Sequence, residues 1–394
     1  MSVRQLRAGE AWRGFMLDEA RHFFGKGEVK RILERMAELG LNVFHWHLTD
    51  DQGWRLDLHG MPELAQFGAV RPSSPLRGED NSSDGTPYGP FFYTEGDIRE
   101  IVAFAAGRGI TVVPEIDLPG HVRALLASHP ELACKGVSIP REPLCAYGVC
   151  EDVLCAGSDE TVAFCERIID AVCDLFTSEF IHLGGDECPT TRWKACPRCQ
   201  ARIQAEGLPN ETALQGWLMR HLVEHLTRRG RRAVVWNEAL RCGDLPSATV
   251  VQVWCGDVAA EATAAAQKGH DVVLSPLRET YLSIPEGLPG DPYRYRAWVL
   301  RNGWTLPVKR IRAFNPFAFV SPELSGKVLG GECCAWTEVI HDCAELEYKV
   351  LNRLTAFGQA LGDLGRGETF ASANAGRALA PSPKGRRRAR GKKG

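Results

Sequence analysis

A closed (β/α)₈ barrel with long βα-loops is the fold this sequence predicts, and three observations predict it. Eight short apolar runs recur along the chain. Amphipathic stretches of helical period separate most of them. A charged or aromatic residue follows every run, as expected where a barrel gathers its site at the carboxyl ends of its strands. The length of 394 residues, 44% hydrophobic and 24% charged, accommodates such a barrel with insertions.

The expected strands are Gly14–Leu17, Asn42–Leu48, Thr111–Ile116, Phe180–Leu183, Ala233–Val235, Val250–Trp254, Val272–Ser275 and Val328–Trp336. Helices are expected at Lys26–Leu39, Glu95–Gly107, Thr161–Phe176, Glu211–Arg229, Asp257–Lys268 and Glu345–Leu361. Val29, Ile32, Leu33, Met36 and Leu39 keep helical spacing in the first. Residues 122–160 and 276–327 break the rhythm and read as extended loops over the barrel mouth. One unit is expected over 1–365. The segment 366–394 turns to Gly, Ala, Ser and Pro and ends in PSPKGRRRARGKKG; it cannot bury a core and reads as a disordered basic tail.

The net charge of −2 includes seven Lys or Arg between Lys384 and Lys393, so the remaining body is acidic. That argues against a nucleic-acid substrate and suits a neutral one. No apolar run is long enough to span a membrane. The N-terminus lacks the apolar core of a signal peptide, so a cytoplasmic location is expected, or a secreted or periplasmic one if the start is trimmed. Most of the fourteen cysteines then read as reduced thiols. Cys196-Pro-Arg-Cys199 is half of a zinc site or a redox pair, but no second CxxC completes it. A structural loop is the plainer reading, with zinc and a disulfide left open.

The chemistry centres on FIHLGGDE, Phe180 to Glu187. Two glycines let the chain turn sharply off a buried strand and present two acids. Adjacent carboxylates in a partly dry site do not both ionise easily, so one pKa is expected to rise, and a raised carboxyl can protonate a departing glycosidic oxygen. An isolated Asp-Glu more often opens a helix; the other strand ends decide against that. Trp236, Trp254 and Trp336 close three strands and suit an aromatic wall for a sugar. His45 and His47 share a strand face. With Asp50 and His121 they raise a metal-dependent amidohydrolase as an alternative, but the later strand ends supply no further His.

The ordered segments LDEARHFF, NVFHWHLTDDQGWR, VVPEIDLPGH, FIHLGGDE, VVWNEAL, VVQVW and GGECCAWTE resemble the motif series of family-20 glycoside hydrolases, the β-N-acetylhexosaminidases, from about Gly14 to Leu361. The resemblance implies an exo-acting, retaining hydrolase in which the substrate's 2-acetamido oxygen is the nucleophile, acting on terminal N-acetylglucosamine or N-acetylgalactosamine. Glu187 is then the acid and base, Asp186 the acetamido orienter, and Tyr281 a donor to the acetamido oxygen. Arg21 and Glu338 would hold sugar hydroxyls. Asp50 and His121 would form a charge relay to Glu187, and Asp117 and His182 would support the pair from behind. No cofactor or metal, nucleic acid or membrane is implied, and the oligomeric state is left open. Three features depart from the pattern. Ser283 stands where Tyr-x-Asp is common, Asn352 and Gln359 replace a usual Pro and Glu, and the small domain that often precedes the barrel has no counterpart ahead of Gly14. Asn352 and Gln359 read as structural changes; Ser283 and the missing domain keep a carbohydrate-binding pseudoenzyme as the second reading.

Overall fold

The computed structural model describes residues 6, 10–75, 83, 85–293 and 295–366. The expected tail beyond Arg366 lies outside the described residues. Eight parallel strands form the barrel: β1 (Trp12–Asp18), β2 (Val43–His47), β3 (Thr111–Glu115), β4 (Phe180–His182), β5 (Arg232–Trp236), β6 (Val250–Val253), β7 (Asp271–Leu274) and β8 (Val328–Ala335). They pair in chain order, and β8 returns to β1 to close the sheet. Each expected strand is present within two residues of its expected ends.

Strand parity organises the interior, because residues two apart share a face. Trp12, Val43, Val113, Phe180, Val234, Val250 and Val273 pack together as an apolar plug at the strands' amino-terminal ends. Two residues further on, the same faces carry His45, Glu115, His182 and Gln252, all fully buried and joined by Glu332 from β8. The outward faces pack on helices. Gly25–Glu38 buries Val29, Ile32, Leu33 and Met36, and Asp159–Leu175 packs beside Glu211–Arg228. The barrel is thus apolar at one end and charged towards the other.

The long loops carry more regular structure than expected. Residues 122–160 hold the helix Arg123–Ser128 and the 3₁₀ turn Pro130–Leu132. Residues 276–327 hold the short helices Leu277–Thr280, Ala297–Arg301 and Val308–Arg312, with two 3₁₀ turns after them. Elements of four to six residues are too short to show a period. The last helix is not continuous: Cys343–Leu346 passes through a π turn at Glu347–Leu351 into Asn352–Arg366. That turn places Arg353, 2% exposed, where its guanidinium donates to the carbonyls of Ile284 at 2.9 Å and Leu306 at 3.1 Å, and to that of Leu282. Arg353 therefore ties down the loop that carries Tyr281 and Ser283. Among the described residues, no helix is long and apolar enough to cross a membrane.

Candidate active site

One cavity of about 410 Å³ opens at the carboxyl ends of the strands. Arg21 and Asp50 reach it from beyond β1 and β2, His121 from beyond β3, and Asp186 and Glu187 from beyond β4. Trp236 and Trp254 wall it at β5 and β6, Tyr281 stands beyond β7, and Trp336 and Glu338 follow β8. All ten cavity residues expected from the sequence meet here; Asp117 and His182 lie behind them.

The acidic pair sits on a turn that only glycine can make. Gly184 and Gly185 have φ of 67° and 96°. A Cβ on Gly184 would fall 1.7 Å from Asp117 Oδ1, and one on Gly185 2.9 Å from the Ala239 Cβ. The Gly185 N–H donates to Asp117 Oδ1 at 3.1 Å, and Gln215 Nε2 donates to the Gly185 carbonyl at 2.9 Å. Glu187 itself has φ of 40°, a costly conformation that the surrounding bonds must hold. No helix begins until Thr191, so the pair is not a helix start.

Behind the pair, carboxylates and imidazoles alternate up the barrel axis. Glu332 accepts from Trp12 Nε1 at 2.9 Å and lies 2.7 Å from His45 Nδ1. His45 Nε2 is 3.0 Å from Glu115, which lies 2.5 Å from His47 Nδ1. His47 Nε2 is 2.8 Å from Asp50 Oδ2, and Asp50 Oδ1 is 3.3 Å from His121 Nδ1. His121 Nε2 ends the series 3.5 Å from Glu187 Oε2. Register makes this possible, because His47, Glu115 and His182 are neighbours across β2, β3 and β4. Buried charges persist only when paired in this way. Both nitrogens of His45 and of His47 therefore face carboxylates, those of Glu332 and Glu115 for His45 and of Glu115 and Asp50 for His47.

Burial opposes ionisation of His121, yet Asp50, Asp51 and Glu187 hold its pKa well above the usual imidazole range. Burial likewise opposes the charge on Glu115, and His182, His47 and His45 keep it well below the usual carboxylate value. The acidic pair separates, but not in the expected sense. Burial pushes Asp186 up to about 7, whereas the hydrogen bond from His121 lowers Glu187. In the free site the more basic carboxyl is Asp186, not the expected proton donor Glu187. The physical reason is that Asp186 Oδ1 is buried with no hydrogen-bond partner among the described residues, while an imidazolium faces Glu187.

Arg21 is fixed as a fork. Its Nη2 lies 2.8 Å from Asp50, Nη1 3.4 Å from Asp18, and Nε donates to Gln52 at 2.7 Å. The guanidinium also lies over Trp336, 5.4 Å from the ring centroid. Trp236 Nε1 donates to Glu115 and Trp254 Nε1 to Glu238, each at 2.8 Å. Trp254 stacks against Tyr281 at 6.0 Å and 11°, and Tyr281 meets Trp336 at 6.1 Å. Burial raises the Tyr281 pKa well above its usual value, so its hydroxyl keeps its proton. His182 Nδ1 lies 3.0 Å from the Gly184 nitrogen and 3.1 Å from Glu115 Oε1, directly beneath the turn.

Arg296, Val149, Leu277 and Val299 also line the cavity and were not singled out from the sequence. Arg296 Nη1 lies 3.6 Å from Glu338, on the side where Ser283 stands. It lies in a segment with no periodic signal, so nothing in the sequence marked it.

A closed barrel that gathers paired acids, a forked arginine and an aromatic wall at one mouth has the architecture of a barrel glycoside hydrolase. The family model for the catalytic domain of glycosyl hydrolase family 20 matches residues 11–361, and the chain belongs to that family. It is 38% identical over 353 residues to a β-hexosaminidase of Porphyromonas gingivalis, covering 88% of this chain and 42% of the relative. With a Vibrio furnissii β-hexosaminidase the identity is 37%, covering 88% and 55%. The chain thus spans about half the length of these relatives. Among solved structures, a β-N-acetylhexosaminidase superposes with a TM-score of 0.79 at 28% identity, covering 89% of this chain and 71% of that one. A Vibrio harveyi exo-β-N-acetylglucosaminidase in complex with N-acetylglucosamine gives 0.77 at 32%, covering 89% and 54%.

Proposed function

We propose that this chain is an exo-acting β-N-acetylhexosaminidase that removes terminal N-acetylglucosamine or N-acetylgalactosamine with retention of configuration. One observation carries the reading: Asp186, only 7% exposed and with one oxygen buried without a hydrogen-bond partner among the described residues, lines a small aromatic-walled cavity beside Glu187. An acetamido N–H entering the cavity is a donor that this carboxyl can accept from. Donation from it stabilises the Asp186 carboxylate, so the proton the pair shares in the free site moves to Glu187, where it is needed. Glu187 then protonates the leaving oxygen while the acetamido carbonyl oxygen attacks the anomeric carbon, assisted by Tyr281. The positive charge of the resulting oxazolinium lies against Asp186. Water, deprotonated by Glu187, opens that ring. Two displacements at one carbon restore its configuration.

His121 and Asp50 support the cycle by keeping a positive charge against Glu187 once it has given up its proton. Arg21 and Glu338 offer a donor fork and an acceptor for ring hydroxyls. The fourteen unpaired cysteines support a reducing compartment.

The test is hydrolysis of 4-nitrophenyl β-N-acetylglucosaminide and its galacto isomer, followed by proton NMR of the first-formed sugar. The expected result is turnover with a β product first, inhibition by oxazoline mimics, and no turnover of the matching β-glucoside without a 2-acetamido group. Sugar binding without turnover would establish the pseudoenzyme reading instead. Equal rates with and without the acetamido group would overturn the assisted mechanism.

A further inference from the structure

Away from the cavity, four cysteines that the reaction does not use converge from three stretches of chain. Cys134 and Cys155 belong to the long loop after β3, and Cys196 and Cys199 to the segment after β4. Each is at most 3% exposed. Cys155 Sγ lies 3.7 Å from both Cys196 Sγ and Cys199 Sγ, and Cys134 Sγ lies 3.9 Å from Cys199 Sγ. All four sulfurs fall within 4.8 Å of one another. A disulfide would need about 2.05 Å. A tetrahedral zinc with Zn–S near 2.3 Å separates its sulfurs by about 3.8 Å, close to the spacings found.

The backbone is built to bring these segments together. An antiparallel bridge between Ala133 and Leu154 places Cys134 and Cys155 diagonally across the pair, one residue beyond it on each segment, and the Cys155 N–H donates to Leu132 at 2.9 Å. Cys196 is the N-cap of the helix Pro197–Ala205, whose positive end favours a thiolate. Gly157 packs so closely on the CxxC turn that a Cβ would meet the Arg198 carbonyl carbon at 2.2 Å and the Cys199 nitrogen at 2.3 Å. Arg198 is held over the site by its bond to the Ala133 carbonyl at 2.8 Å, and its cation offsets the net negative charge of a tetrathiolate.

We propose that Cys134, Cys155, Cys196 and Cys199 bind one zinc-type divalent cation as a closed structural site. Four protein sulfurs complete the coordination, so no position is left for water or substrate. Binding displaces the thiol protons to solvent. The consequence is mechanical. The Leu154 N–H donates to Pro119 and Trp193 Nε1 to Leu154, so the site joins the loop that presents His121 to the segment that follows Glu187. Part of the catalytic constellation is thereby tied to a metal that never touches substrate.

The test uses the 394-residue chain purified under reducing conditions without chelator. Mass spectrometry of the metal content is expected to give about one zinc per chain. Exchange for cobalt(II) is expected to give the intense thiolate charge-transfer bands and the visible bands of a tetrahedral site. Cys199→Ser should lose the metal, and Cys343→Ser, an exposed thiol outside the cluster, should keep it. If Cys199→Ser does not fold, the cobalt spectrum of the unmodified chain carries the test. Absence of stoichiometric metal after equilibration with zinc(II) alone, or disulfides among these four residues in the native protein, would overturn the proposal.

Discussion

The two walls of the cavity are built by different physics. On the β2–β4 side, Asp50, His121 and Glu187 belong to a series of ion pairs that runs down into the barrel interior. On the β6–β8 side, Trp254, Tyr281 and Trp336 are held by ring contacts, and Arg296 faces Glu338 at a loose 3.6 Å. The first wall fixes charge and proton position through buried partners. The second fixes shape, and its loop is anchored from below by Arg353. Substitutions on the first wall should therefore change the chemical step, and those on the second should graduate from chemistry towards binding.

The largest effect is expected at Glu187. Glu187→Gln should lower kcat on the order of 10²–10⁴-fold, and more for a poor leaving group than for 4-nitrophenol, which needs little protonation. Steady-state kinetics on a matched pair of aglycones checks this; equal losses on both would separate Glu187 from leaving-group protonation. Asp186→Asn should cost about 10²–10³-fold, in the range of lost electrostatic stabilisation. It should also change the pH profile of kcat/KM, which reports free-enzyme groups. With Asp186 raised to about 7, the pair keeps one proton up to near neutrality and loses it above. In Asp186→Asn only Glu187 holds that proton, and His121 lowers its pKa. The alkaline limb should therefore move to lower pH. An unmoved limb would show that the proton does not reside on Asp186 in the free site.

Tyr281→Phe tests the second wall at its most chemical point. The ring stacking with Trp254 survives the change, so only the donor hydroxyl is lost. A fall of about 10² in kcat, at the lower end for removing one such donor, with KM nearly unchanged, is expected. A loss confined to KM would make Tyr281 a binding surface only.

The same division governs what could be read from the sequence. Strand parity was legible because Val113, Glu115 and Asp117 alternate on a buried run, as do Val250, Gln252 and Trp254. The position of the acidic pair was legible from its two glycines. Which acid carries the raised pKa was not. That depends on His121, brought to Glu187 by a loop from another strand, and on a burial of Asp186 that no local pattern encodes. The cysteine cluster was half legible: CxxC marks two members, whereas Cys134 and Cys155 join them only through the Ala133–Leu154 bridge. The π turn before Arg353 was hidden because its apolar spacing continues that of the flanking helices.

Arg296 gives the smallest effect and the sharpest contrast between the walls. Its Nε and Nη1 lack hydrogen-bond partners among the described residues, and its charge lies against Glu338 beside Ser283 in the cavity lining. As a lining residue beside Glu338, it is placed to contact a sugar hydroxyl in the cavity. A contact made equally in ground and transition states changes KM and leaves kcat alone. Arg296→Ala should accordingly raise KM by about tenfold or less, the scale of one modest polar contact, with kcat unchanged. The ratio of kcat/KM for the gluco and galacto substrates should shift as well, because the two differ in the direction of one hydroxyl. Parallel Michaelis curves on both substrates measure this. If kcat falls instead, the second wall reaches into the chemical step, and the separation of charge-setting from shape-setting walls fails at the residue where it is easiest to see.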